Sequence, residues 1–228
     1  MSKFLYVRGQ ILGHFNRSNV SLQRIRFNGL HSKVEGDNIK TKLLACALQN
    51  VNNYGWTEVA LARAASDIGL TPLSHNLVSR GAVEIVEHFL FEKRSHVNKL
   101  MSQKESELNN NCIVDTEKHE EILFKAIEAH LEYMIPFRQS WSSALALLMA
   151  PHNVTSSLAT MQDLTDDLCN YTDIKTTRMD WYTERGLLAS LYCSVELFFL
   201  TDVSPDLKDT KEFLRRGLKV YSYTRGIQ

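Results

Sequence analysis

The chain has 228 residues, which is long enough for one large domain or two small ones without disulfides or a structural metal. Hydrophobic residues make up 44% and charged residues 23%, with ten glycines and four prolines; this excludes a disordered, collagen-like or multi-span membrane chain and favours helices. The 26 basic and 26 acidic residues cancel, but residues 1–34 contain six Lys or Arg and no acid.

This basic leader has the pattern of an amphipathic helix. Phe4, Val7, Ile11 and Phe15 recur at spacings of three and four, which places them on one face. Together with several serines and the missing acids, the pattern is typical of a mitochondrial transit peptide. We therefore predict a transit peptide over residues 1–36, with a disordered basic arm as the alternative.

From residue 38 onward, the apolar residues recur at helical spacing, and no stretch alternates as a strand would. The sequence therefore predicts an all-α fold. We predict a helix from Ile39 that ends before Gly55, followed by helices over residues 57–67, 72–78, 82–106, 117–138, 142–149, 155–171, 179–201 and 206–222. Residues 37–100 form a helix-turn-helix-like unit that runs into a bundle over residues 101–228.

Residues 57–78 have the layout of a helix-turn-helix, with a turn at Gly69. With the preceding helix, they resemble the N-terminal domain of TetR-type repressors, which implies a larger helical ligand-binding domain behind it. The predicted recognition helix has no Lys or Arg before Arg80, so it offers little attraction for phosphates. We expect no nucleic-acid binding; the alternative is a TetR-type ligand-responsive DNA-binding regulator.

The sequence contains no motif that would identify an enzyme. Phosphate-binding glycine loops, a nucleophile elbow and zinc motifs are absent, and no Glu is followed three residues later by His, as a di-iron bundle would need. Asp166 and Asp167 are adjacent, so on a helix they point about 100° apart and fit a solvated face better than a catalytic pair. We predict no catalytic residues, no metal and no cofactor.

Two predicted helices of the bundle are rich in apolar residues. Residues 144–149 are apolar all round, and the helix over residues 179–201 has a stripe that includes Trp181, Leu188 and Val195. These helices would wall a cavity for an isoprenoid tail, or they would pack as an ordinary core. The pattern alone does not choose between the two.

Several short motifs occur together between Lys42 and Tyr221. They are Tyr54-Gly-Trp-Thr57, Leu148-Met-Ala-Pro-His-Asn153, Asp166-Asp167 with Tyr171, Trp181-Tyr-Thr-Glu-Arg185 and Ser204-Pro-Asp206. In this order they resemble the mitochondrial coenzyme Q biosynthesis lipid-binding proteins, the ninth members of the Coq series. The resemblance implies a TetR-like homodimer that binds phospholipid and isoprenoid quinone lipids. It also implies that the protein presents them to the di-iron demethoxyubiquinone hydroxylase at the matrix surface of the inner membrane.

The resemblance also implies roles for individual residues. Arg185 corresponds to an arginine that contacts a lipid head group, although Glu184 occupies a position that is often basic in relatives. The surface for the hydroxylase corresponds to Asp166, Leu168, Tyr171, Trp181 and Tyr182. Two alternatives remain open: a surface ion pair for Arg185, for instance with Glu184 or Asp180, and a helix-end core position for Tyr171 and Trp181.

The C-terminal helix combines an apolar stripe with basic residues. The stripe consists of Leu207, Leu214, Leu218 and Tyr221, and beside it lie Lys211, Arg215, Arg216 and Lys219. This pattern predicts a basic interfacial helix on anionic lipid. A dimerisation helix with a solvated charged face is the alternative.

Overall fold

The fold is taken from a computed structural model, which describes residues 33–71, 77–108, 115–172 and 180–226. The chain divides into two compact units, residues 1–39 and residues 40–228. Of the first unit, the structure describes only the helical backbone of residues 33–39, so the predicted transit peptide lies almost wholly outside the described residues.

Eight α-helices and two short 3-10 helices account for nearly all described residues, and no strand occurs among them. The α-helices are α1 (Lys33–Tyr54), α2 (Glu58–Asp67), α3 (Val83–Leu108), α4 (Asp115–Met134), α5 (Trp141–Leu148), α6 (Val154–Tyr171), α7 (Asp180–Thr201) and α8 (Lys208–Gly226). The prediction of an all-α fold is confirmed. The predicted recognition helix over residues 72–78 falls mostly outside the described residues.

The turn between α1 and α2 follows from its residue types. Gly55 has a φ of +70°, a conformation that glycine adopts without steric cost, and this ends α1. The Thr57 hydroxyl then donates a 2.9 Å hydrogen bond to the carbonyl of Tyr54. Between them, the Trp56 indole is buried and donates to Ser140 Oγ at 3.1 Å, which anchors the turn to the bundle.

The predicted helix over residues 117–138 is divided in the structure. α4 ends at Met134, and residues Ile135–Ser140 continue as a 3-10 helix. Pro136 explains the change because it lacks a backbone N–H and clashes with the preceding turn of an α-helix. The interruption turns Phe137 and Trp141 towards Trp56 and Phe89, and their ring centroids lie 5.0–5.8 Å apart in an aromatic core.

The apolar stripe of α8 faces the protein interior. Leu214, Leu218 and Tyr221 are buried where α8 packs against α4 and α7. Lys211 forms a 2.9 Å ion pair with Glu128 of α4, so part of the basic face is also directed at the bundle. The prediction that this stripe lies on a membrane is therefore wrong, because burying it in the core leaves it unavailable to lipid. No helix within the described part of the chain is both long and apolar enough to cross a bilayer.

Candidate functional site

The first turn of α7 places Trp181 and Arg185 on the same face. Residues four apart on a helix are neighbours, and the Arg185 guanidinium carbon lies 3.8 Å from the centroid of the Trp181 ring. Arg185 also donates a 3.2 Å hydrogen bond to the carbonyl of Trp181. The Tyr182 ring stands edge-on to Trp181, with centroids 4.7 Å apart. The motif thus places a cation on the Trp181 ring, which also contacts the Tyr182 ring.

Arg185 is further held by an ion pair with Asp166 of α6. The Arg185 side chain is 15% exposed and that of Asp166 is 34% exposed, so the pair lies at the protein surface with the guanidinium largely covered. The alternative of a surface ion pair for Arg185 is confirmed, with Asp166 as the acid, whereas the sequence suggested Glu184 or Asp180. Glu184, the other acid next to Arg185 in sequence, is buried at 3% exposure.

The structure brings four of the predicted site residues together and separates two. Asp166, Trp181, Tyr182 and Arg185 form one group, which we call the α6–α7 patch. Tyr182 is its most prominent member because 73% of its surface is exposed. Leu168, in contrast, is fully buried. Its predicted place on an exposed docking surface is wrong, because it shares the core-facing side of α6 with Leu164.

Tyr171 belongs to a second group on the other side of α6. Its hydroxyl donates to Asn98 Oδ1 of α3, and burial raises its pKa above the ordinary range. Beside it, Arg94 donates to Asp167 Oδ2 at 2.8 Å and to Asp163 Oδ2 at 3.2 Å. The two adjacent acids therefore pair with arginines on different helices. The prediction of a solvated face is wrong for Asp167, which is largely covered.

The helices predicted to wall an isoprenoid cavity are joined by a buried hydrogen bond. Trp141 and Ala144 of α5 are fully buried, and Trp141 Nε1 donates a 3.1 Å hydrogen bond to Glu196 Oε1 of α7. A groove of about 540 Å³ lies instead along α3, where Phe91, Asn98 and Lys99 line it. Between α5 and α7 the structure favours the close-packed alternative.

A buried polar cluster occupies the centre of the bundle, and sequence reasoning missed it. Lys93 of α3 is 1% exposed; its Nζ donates to Tyr192 Oη at 2.9 Å and to Met134 Sδ at 3.4 Å. Glu196 and His130 are also buried there. The only sequence signal is the place of Lys93 in the apolar row of α3, between Phe89 and Val97. Nothing in the sequence indicates that Tyr192, 99 residues later, is its partner.

Burial shifts the titration of every group in this cluster. It lowers the pKa of Lys93 to about 8, although the charge of Glu196 opposes the shift. It also raises the pKa of the Glu196 carboxyl and holds that of His130 well below its usual range, helped there by the charge of Lys93. His130 is consequently neutral at pH 7, with one ring nitrogen as donor and the other as acceptor.

Comparisons with known proteins agree with the architecture. The COQ9 family model matches residues 154–223, which contain the whole α6–α7 patch. A crystal structure of a TetR transcriptional regulator from Nitrosomonas europaea superposes with a TM-score of 0.57 at 12% identity, covering 82% of this chain and 99% of the regulator. This similarity confirms the predicted TetR-like helical fold.

The sequence relatives are named "Ubiquinone biosynthesis protein COQ9, mitochondrial". The human protein is 32% identical over 178 residues, which are 78% of this chain and 56% of the human one. The rat protein is 31% identical over 78% of this chain and 57% of its own length. The chain therefore spans little more than half the length of these relatives. The resemblance predicted from the sequence motifs is confirmed, because the chain is similar to COQ9 proteins over most of its own length.

Proposed function

We propose that this protein is a non-catalytic accessory protein of ubiquinone biosynthesis that binds lipids, including isoprenoid quinone intermediates. It would present them to the di-iron demethoxyubiquinone hydroxylase, as a homodimer at the matrix surface of the mitochondrial inner membrane. The relatives' names support the pathway and the organelle. The observation that carries the proposal is the α6–α7 patch, in which Trp181 contacts both the covered Arg185 and the exposed Tyr182.

Arg185 suits a phosphate head group because its planar fork pairs with phosphate as readily as with a carboxylate. In the structure it contacts Asp166 and the Trp181 carbonyl, whereas a guanidinium has five N–H donors. A phosphate that displaces Asp166 would meet a cation already oriented by the Trp181 ring. Orientation before binding lowers the entropic cost of association. Asp166 therefore occupies the position at Arg185 that the lipid phosphate would take.

The exposed Tyr182 suits a protein partner. Tyrosine and tryptophan anchor protein interfaces because they bury a large surface and lose little side-chain entropy. Trp181 supports the Tyr182 ring from one side, and Asp166 contributes an acid at the rim. A hydroxylase docked on this patch would lie next to the lipid head group that Arg185 holds. Lipid binding and presentation would then use one surface.

Mass spectrometry of lipids extracted from the purified protein tests the proposal. The parent should carry phospholipid and isoprenoid quinones, whereas Arg185→Ala should retain about a tenth of the phospholipid, since a charged hydrogen bond contributes about 1.5–3 kcal/mol. Arg216→Ala is the matched control, because Arg216 is an exposed arginine on α8. A parent that carries no lipid, or an Arg185→Ala protein with parental lipid content, contradicts the proposed role.

A further inference from the structure

Polar side chains on the facing sides of α3 and α6 form a row of contacts. Three of the contacting pairs are each 69 residues apart in the sequence, so the two helices run parallel and in register. At one end of the row, the Ser156 hydroxyl donates a 2.7 Å hydrogen bond to Glu87 Oε1. We call this row the α3–α6 seam; its members are Glu87, Arg94 and Asn98 of α3 and Ser156, Asp163 and Asp167 of α6.

Arg94 makes the largest number of these contacts. Its guanidinium donates to Asp167 Oδ2 at 2.8 Å, and to both Asp163 Oδ2 and the Asp163 backbone carbonyl at 3.2 Å. The two acids are four residues apart, which places them on successive turns of one face of α6. The planar fork of an arginine is rigid, and here it binds the backbone of α6 as well as two of its side chains. Arg94 therefore restrains α6 itself against rotation.

Apolar packing restrains α6 less than its length would suggest. Of its 18 residues, only Leu164, Thr165 and Leu168 are buried, and none of residues 154–162 is. Apolar burial is also non-directional, whereas a hydrogen bond weakens steeply when its angle changes. The rotation of α6 about its own axis is therefore set in large part by the seam.

This rotation also places Asp166. Asp166 and Asp167 are adjacent on a helix, so their side chains point about 100° apart, and Asp166 reaches α7 while Asp167 reaches α3. Asp166 pairs with Arg185, whose guanidinium lies on the Trp181 ring. Because both acids belong to one helix, a turn of α6 that breaks the contact with Arg94 would also move Asp166 away from Arg185.

We propose that Arg94 is a positioning residue for the α6–α7 patch. By binding Asp163 and Asp167 it fixes the rotation of α6, and it thereby holds Asp166 against Arg185. The Arg94 side chain is 22% exposed, so its guanidinium mostly faces α6, and we assign it no contact with lipid or hydroxylase. The proposal rests on the proposed function of the patch and extends its support to a third helix, α3.

Fluorescence of Trp181 in the purified full chain tests the positioning role without any ligand. Trp56 and Trp141 are 3% and 0% exposed, whereas Trp181 is partly exposed, so acrylamide quenches mainly Trp181. Arg94→Met removes the guanidinium and keeps an aliphatic stem, and we expect its quenching constant to rise. Lys99→Met removes an exposed cation from the same helix and should leave it unchanged. An unchanged constant in Arg94→Met with parental helical content would overturn the proposal.

Hydroxylase binding then distinguishes positioning from direct contact. We expect Arg94→Met to bind the hydroxylase about three- to tenfold more weakly than the parent. Asp167→Asn is a milder change that should act in the same direction, and it keeps the proposal testable if Arg94→Met does not fold. Because Arg94 acts through the acids of α6, the two effects should be less than additive in the double variant.

The remaining outcomes separate this proposal from the proposed function. Parental hydroxylase affinity in both single variants, or full additivity in the double variant, would overturn the positioning role and leave docking on the patch standing. A parent that does not bind the hydroxylase would instead contradict the proposed function. The quenching of Trp181 would still decide whether Arg94 positions the patch.

Discussion

Arg185 of α7 and Asp166 of α6 form an ion pair that joins two residues with different predicted roles. The resemblance assigns Arg185 to the lipid and Asp166 to the partner protein. Because the two side chains form an ion pair, a lipid phosphate that binds Arg185 would break this pair. The Asp166 carboxylate would then be free to contact a partner at the rim of the Tyr182 surface. Lipid occupancy and partner binding are therefore expected to influence one another through this pair.

Removing the acid from this pair should increase phospholipid retention. In Asp166→Asn, Arg185 keeps its aromatic support but loses the carboxylate that competes with phosphate. A partly exposed ion pair contributes about 1 kcal/mol or less, so we expect retention to rise about two- to fivefold. Mass spectrometry of the extracted lipid gives the number of phospholipid molecules retained per protein and thus tests this rise. Glu212→Gln, which removes an exposed acid on α8, is the control. A decrease in Asp166→Asn would mean that Asp166 helps to bind the lipid.

Tyr182 and Leu168 should respond in opposite ways to truncation. Tyr182→Ala removes an exposed ring, so the melting temperature should stay nearly unchanged while hydroxylase binding weakens by ~2 kcal/mol or more. Leu168→Ala opens a cavity in the core and should cost about 2–5 kcal/mol of unfolding free energy. Calorimetry and a binding titration on both variants separate the two roles. Parental hydroxylase affinity in Tyr182→Ala would refute the docking surface.

The buried charge of Lys93 should destabilise the fold at neutral pH. Its pKa falls from 10.5 to about 8, which corresponds to a loss of about 3 kcal/mol in the free energy of unfolding. The hydrogen bond from Lys93 to Tyr192 offsets about 1 kcal/mol of this loss. Replacing both buried charges, in a variant with Lys93→Met and Glu196→Gln, should therefore make the protein more stable than the parent by about 2 kcal/mol at pH 7. Denaturant unfolding measures this difference, with Lys99→Met as the exposed control.

The same shift predicts a pH dependence of a definite sign. Between pH 8 and 10.5 the unfolded parent keeps a proton on Lys93 that the folded parent has lost, so the stability of the parent should rise with pH in this window. Lys93→Met should lack this rise. Parallel pH profiles for the two proteins would contradict a buried, destabilised ammonium.

Asp202 should be important for the start of α8. Its carboxylate accepts hydrogen bonds from the backbone N–H of Ser204 at 2.7 Å and of Thr210 at 2.9 Å, and these bonds outweigh burial and lower its pKa. Asp202→Asn should cost about 1–2 kcal/mol, as for a helix cap. Because the pKa is depressed, the parent should lose this stability as the pH falls below about 4, and the variant should not. If the acid unfolding profiles of the parent and Asp202→Asn coincide, the role of the Asp202 carboxylate is refuted.

The sequence predicted the elements far better than their contacts. Helical periodicity identified the bundle, and it also places Leu168 on the row of Leu164, so the burial of Leu168 was within reach of the pattern. Which acid pairs with Arg185 depends on how α6 and α7 pack, and several carboxylates were equally plausible from spacing. Lys93 and Tyr192 meet across 99 residues, and no local rule encodes such a contact.

We propose that the chain serves the hydroxylation of demethoxyubiquinone without catalysing it. The ratio of demethoxyubiquinone to ubiquinone in mitochondria of cells that lack the chain tests this claim most directly. We predict that the ratio rises, that the parental chain restores it, and that a chain carrying both Tyr182→Ala and Arg185→Ala does not. An unchanged ratio in cells without the chain, or full restoration by the double variant, would contradict the account.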